Sequence, residues 1–201
     1  MEHLPLPKPP KSCVFRLVPN SQLHINKANN ASEVFDNEGA YWEFDIELTN
    51  VPEVDALELD GFLAALRGSV GRFLMHDYRR EQEHLDTIAF VSGGYQDGAS
   101  LAVTNLPSGR IYARAGEKIQ IGSGAAAELK ILTENVLPAA TGATMLRFES
   151  PMRRIPAHNS PVYFVRPAGV FRLIDNKQGL ADAQYKNGVV TSWRIRGREA
   201  F

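Results

Sequence analysis

Residues 41–48 alternate without a break: Trp42, Phe44, Ile46 and Leu48 are apolar, and Glu43, Asp45 and Glu47 carry carboxylates between them. A period of two predicts a β-strand with one buried face and one wet face, so the wet face here is a row of three acids. Short apolar or alternating runs at 12–18 and 22–27, split by the turn signal Pro19-Asn20-Ser21, read as two more strands. Only one segment has the helical period. Leu59, Phe62, Leu63 and Leu66 fall at i, i+3, i+4 and i+7, behind Pro52, Asp55 and Glu58 and ahead of Gly68. The chain then turns into the apolar strand 72–75.

From residue 87 the rhythm changes to short strands with glycine-rich connections. The runs at 87–91, 99–105, 117–121, 127–133, 143–149 and 162–165 predict a small closed or nearly closed β-barrel. After Pro167 come a strand at 170–174 and the pair 181–187 and 189–195, joined by Asn187-Gly188, the preferred type I′ hairpin turn. Residues 4–10 hold four prolines and read as an extended arm, either solvated or laid over a neighbouring subunit. The chain is therefore expected to be mainly β with one helix.

Composition excludes more than it nominates. The chain has 201 residues, 44% of them apolar, enough for one large domain or two small ones without disulfides or a structural metal. A formal charge of −1 argues against a nucleic-acid coat protein. Its distribution is uneven, however. Residues 33–60 hold ten acids and no Lys or Arg, whereas residues 147–201 hold ten Lys or Arg against four acids. Such a chain can neutralise itself internally or stack head to tail with its own copies. The single cysteine, Cys13, lies in an apolar run and reads as a small buried hydrophobe. No secretory signal and no run of 18 apolar residues is present, so a soluble protein made in the cytoplasm, without membrane insertion, is expected.

Catalytic constellations are scarce. The densest group of ligand-type side chains is His76, Asp77, Glu81, Glu83, His84 and Asp86, but Arg79 and Arg80 lie among them and a solvated linker is the simpler reading. Gly68-Ser69-Val70-Gly71 matches the clamp loop of a KH module only superficially, and Gly122-Ser123-Gly124 reads as a turn between strands. His3, His24 and His158 have no assigned partner in the sequence, and Asn30-Ala31-Ser32 is a formal glycosylation acceptor. Neither an enzyme, a cofactor nor a metal is expected.

The order of motifs resembles a known family. Tyr41-Trp42-Glu43-Phe44, the helix ending Leu63-Ala64-Ala65-Leu66-Arg67-Gly68 and the turn into Gly71-Arg72-Phe73 are followed by Gly93-Gly94-Tyr95-Gln96-Asp97-Gly98. Then come Ala115-Gly116-Glu117-Lys118-Ile119-Gln120-Ile121-Gly122, Leu146-Arg147-Phe148-Glu149-Ser150-Pro151-Met152-Arg153 and Gly169-Val170-Phe171-Arg172-Leu173. Across residues 12–195 the chain is similar to the distal tail protein of long-tailed, non-contractile (siphovirus-type) bacteriophages. The resemblance implies a structural virion protein of the tail tip. It would form a hexameric ring joining the tail-tube protein to the tip hub protein. It also implies a tail-tube-like β-sandwich or split barrel with one helix over 12–85 and 168–201. An OB-like β-barrel would be inserted at 86–167, and residues 1–11 would form the arm.

On this expectation Glu43, Asp45 and Glu47 face the lumen, where carboxylates would repel DNA in transit, while Trp42, Phe44 and Ile46 pack inward with Leu63 and Leu66. A plain wet sheet face is the simpler account of the same row. The alternative function is a carbohydrate-binding accessory of the tail tip. The aromatics available to it in 87–167 are Phe90, Tyr95, Tyr112, Phe148, Tyr163 and Phe164.

Overall fold

A computed structural model describes residues 1–37, 39–79 and 87–201. The first part contains β1 (Ser12–Val18), β2 (Ser21–Ile25), β3 (Ser32–Asp36), β4 (Tyr41–Leu48), the two-residue β5 (Val51–Pro52), α1 (Glu53–Leu66) and β6 (Phe73–His76). The middle contains β7 (Ala89–Val91), β8 (Ser100–Thr104), β9 (Lys118–Ile121), β10 (Glu128–Leu132), β11 (Thr144–Glu149) and β12 (Pro161–Tyr163). The last part contains β13 (Ala168–Leu173), β14 (Gln184–Lys186) and β15 (Val189–Glu199). The protein is mainly β, with one α-helix.

Strands from both ends of the chain share one sheet in the order β1-β4-β15-β13-β6, with β5 and β14 added along β15. The middle strands close into a six-strand antiparallel barrel, β10-β11-β8-β7-β12-β9. The alternation in β4 does what its period requires. Trp42, Phe44, Ile46 and Leu48 are buried in one core with Leu59, Leu63 and Leu66 of α1 and Phe73, Phe171, Trp193 and Ile195 of the neighbouring strands. Phe44 stands edge-on to Phe171 at 5.3 Å and to Phe73 at 6.0 Å. Burying one such ring stabilises the fold by about 2 to 3 kcal/mol. Gly197 of β15 makes room for it, because a Cβ there would come within 2.2 Å of the Phe44 ring.

The helix begins six residues before its periodic stripe, at Glu53, and Pro52 supplies its N-cap without a side-chain hydrogen bond. Its end holds the expected glycine after the cap, preceded by one more left-handed residue. Arg67, at φ 54°, takes the left-handed cap position and donates its N–H to the Ala64 carbonyl, and Gly68 follows with φ 68°. At Asn187-Gly188 both residues have positive φ, 51° and 79°, as a type I′ turn requires.

The start of the N-terminal arm docks on its own chain, while Pro7 and Pro9 are exposed. The Leu74 N–H donates to the Glu2 carbonyl and the Leu4 N–H to the Leu74 carbonyl, so residues 2–4 run beside β6. Leu4 is buried in the main core. The reason is the edge strand: β6 ends the sheet, and its unpaired backbone groups need partners. A second difference is β3. Ser32–Asp36 has no alternating signal, yet it pairs with β2 to make a separate two-stranded ribbon.

A seam of polar contacts joins sheet to barrel. The Trp42 indole N–H donates to the Leu129 carbonyl of β10 at 2.8 Å, and Leu129 itself belongs to the sheet's core. At one end of the seam the Lys118 Nζ of β9 lies 2.7 Å from Asp77 and within 5.4 Å of the Trp42 ring centroid. Arg79 binds the same carboxylate and the Phe15 carbonyl. At the other end, Glu199 accepts the Trp42 backbone N–H at 3.0 Å, and buried Lys130 reaches Glu128 and the Pro151 carbonyl.

Candidate functional site

The face of the sheet opposite the helix is the one that β4 lines with Glu43, Asp45 and Glu47. Strand register decides what stands beside them. On one side β1 places Arg16 opposite Glu43, Val14 opposite Asp45 and Ser12 opposite Glu47. On the other side β15 places Arg198 opposite Glu43, Arg196 opposite Asp45 and Arg194 opposite Glu47. Each carboxylate consequently has a cationic partner. Glu43 pairs with Arg16 at 2.8 Å, Asp45 with the Arg194 fork (Nε to Oδ1 2.7 Å) and Glu47 with Lys11 at 3.4 Å. Asp45 also pushes the Arg194 guanidinium pKa up.

The row is therefore not a bare acidic wall. Counting Asp175, which reaches Arg196 at 3.9 Å, four carboxylates on and beside this face meet six cations among the described residues: Lys11, Arg16, Arg172, Arg194, Arg196 and Arg198. The acids were legible as a run within one strand. The bases were not, because they are scattered from residue 11 to residue 198 and come together only through pairing. A groove of about 390 Å³ crosses the face, lined by Val14, Arg16, Glu43, Asp45, Ile174 and Arg194 among others.

A second exposed feature is the β2–β3 ribbon. Leu23 faces Val34 across it and Ile25 faces Ser32, so Leu23, Ile25 and Val34 share one side. These three are 60%, 57% and 63% exposed. The opposite side carries His24, stacked edge-on against Phe35, with Gln22 and Glu33. A two-stranded ribbon with an unburied apolar side is marginal alone and calls for a covering surface. The outer side of α1 is similarly uncovered: Val54 is 78% and Leu57 55% exposed, and the helix carries no Lys or Arg.

The remaining candidates separate. Of the 76–86 group, Glu81, Glu83, His84, Asp86 and Arg80 lie outside the described residues. Asp77 belongs to the seam, where burial pushes its carboxyl up but hydrogen bonds from Arg79 and Lys118 outweigh that and hold it at about 2. His76 stacks on Tyr78 at 4.0 Å. Among the described residues no group of three metal-ligating side chains exists. Burial lowers the His3 pKa, and His158 accepts the Gly93 N–H. Cys13 packs half-buried against the core, and burial pushes its thiol up to about 11, the state of an inert side chain. Gly68–Val70 is a single 3-10 turn. No helix among the described residues is long and apolar enough to cross a membrane.

Of the barrel aromatics, Tyr112, Phe148 and Phe164 are core residues, whereas Tyr95 is 92% exposed. Compared with models of known protein families and with curated proteins, the chain matches none.

Proposed function

We propose that this chain is a ring-forming structural subunit of a virion, of the distal tail type, joining a phage tail tube to the tip hub. On this reading the sheet with α1 (12–85 and 168–201) is the tail-tube-like unit and the barrel (86–167) is the inserted OB-like unit. The chain would be made in the host cytoplasm and end in the virion, with DNA in transit as its only nucleic-acid contact. One observation carries the reading: the β2–β3 ribbon holds Leu23, Ile25 and Val34 away from the chain's own core. The same chain offers an uncovered apolar strip at Val54 and Leu57. An arm on one surface and a receptor on another make a heterologous contact, which closes into a ring when the rotation per copy allows it. Glu43, Asp45 and Glu47 would then face the channel together with their cationic partners, as a charge-laced wall.

The test is light scattering and negative-stain imaging of the purified chain with Leu23→Asp and Val34→Asp beside the parent. A ring that dissociates in the variants is expected. A parent that stays monomeric, alone and with its tube and hub partners, would sink the reading.

A second reading rests on Tyr95, whose exposed ring in the loop after β7 suits a sugar face. Binding on a glycan array that Tyr95→Ala removes would favour a carbohydrate-binding accessory.

A further inference from the structure

The register of the sheet draws a line across its open face. Arg16 on β1 stands opposite Glu43 on β4, Glu43 opposite Arg198 on β15, and Arg198 opposite Arg172 on β13. Phe171 pairs with Phe73 of β6, and the exposed Arg72 is the residue directly before that strand. Four neighbouring strands thus contribute three arginines and one glutamate to one transverse row, about 14 Å long at the usual strand spacing of about 4.8 Å, and Arg72 adjoins its end. Glu43 is engaged by Arg16, and no other described carboxylate ion-pairs with a row arginine. Arg198 stacks on the Tyr41 ring at 3.7 Å, which orients its guanidinium and leaves its charge intact.

Folding does not ask for this arrangement. Like charges directly opposite on adjacent strands destabilise a sheet, and Arg172 stands directly opposite Arg198. Elsewhere on the face each acid has a base; the surplus gathers in this row.

We infer that the arginine row is a binding site for the phosphodiester backbone of duplex nucleic acid. Arginine suits the task because its planar fork binds phosphate oxygens bidentately and never loses its charge. Three guanidiniums, on Arg172 and Arg198 within the row and on Arg72 beside its end, pair with no carboxylate among the described residues. A flat sheet face enters neither groove of a duplex, so its binding is to the backbone and sequence-independent. The inference stands on this face of the single chain and does not require the ring.

Fluorescence anisotropy with a labelled 20-base-pair DNA duplex tests it. With three phosphates neutralised, log K is expected to fall with log salt at a slope of about −2.7, roughly 40-fold weaker binding between 50 and 200 mM salt. Arg172→Gln with Arg198→Gln should bring that slope to about −1. Glu43→Gln releases Arg16 and should steepen the slope by about 0.9, a gain that misfolding cannot imitate. The inference is overturned if the duplex does not bind at 50 mM salt, or if the slope is the same in the double variant. Poly-glutamate of matched charge binding as tightly as the duplex would also overturn it, in favour of an acidic protein partner. Failure here with an intact ring would leave the assembly reading standing.

Discussion

The seam between sheet and barrel and the open face of the sheet are built from the same residue types, yet they do different work. At the seam, Lys118 and Asp77 are less than a tenth exposed and sit against Trp42 and Phe15. On the open face, Arg16 and Lys11 are more than half exposed while pairing with Glu43 and Glu47. A buried charge that loses its partner cannot recover its hydration, whereas an exposed one is rehydrated at once. The seam charges are consequently part of what holds two units in one position. The face charges are available for something outside the chain.

The seam also contrasts within itself. Asp77, met by two cations, is held down at about 2. Burial pushes the Glu199 carboxyl up to about 7, opposed by the Trp42 N–H and the nearby Lys130 and Arg153. The folded chain therefore keeps a proton on Glu199 that the unfolded chain releases above about pH 4.5. That contribution is complete below pH 4.5 and fades as pH rises through 7. Over this window up to about 3 kcal/mol of stability should disappear, the largest effect expected here. Urea denaturation at pH 5 and pH 7.5 measures it, and Glu199→Gln, which keeps an acceptor for the Trp42 N–H, should flatten the difference.

Next in size is Lys118→Met. It removes the buried cation and leaves Asp77 with Arg79 alone, at an expected cost of about 2 kcal/mol in the urea midpoint. Asp77 itself runs opposite to Glu199. Its contribution is present above about pH 3.8 and is lost as pH falls towards 2, and Asp77→Asn should remove that acid-side slope. A loss for Lys118→Met no larger than that of a surface substitution would erase the distinction between seam and face.

On the face, Arg16→Ala and Lys11→Ala should each change stability by no more than about 0.5 kcal/mol, readable in the same denaturation curves. At the small end, Leu23→Asp and Val34→Asp should leave the single chain's stability nearly untouched, because the ribbon lies outside both cores. Their effect belongs to assembly alone.

Much of the fold was legible from period and punctuation. The strict alternation of 41–48 marks β4, the stripe Leu59, Leu63 and Leu66 marks α1, and Asn187-Gly188 marks a hairpin. β3 escaped because Val34 and Phe35 are adjacent and break the alternation, so nothing local distinguishes them from a loop. The docking of residues 2–4 had no local signal, because their partner, the edge of β6, lies about 70 positions away. The carboxylates of the candidate site were visible and their meaning was not: an acidic row in one strand became a face with surplus arginine.

By itself the sequence determined most of the strands (though not β3), where the helix falls and which side of each is apolar, since these follow from residues a few positions apart. Only the tertiary structure decided the charge of the open face and the identity of the seam, because cross-strand register brings together residues that the chain keeps far apart. Arg16, Glu43, Arg198 and Arg172 share a row by pairing alone.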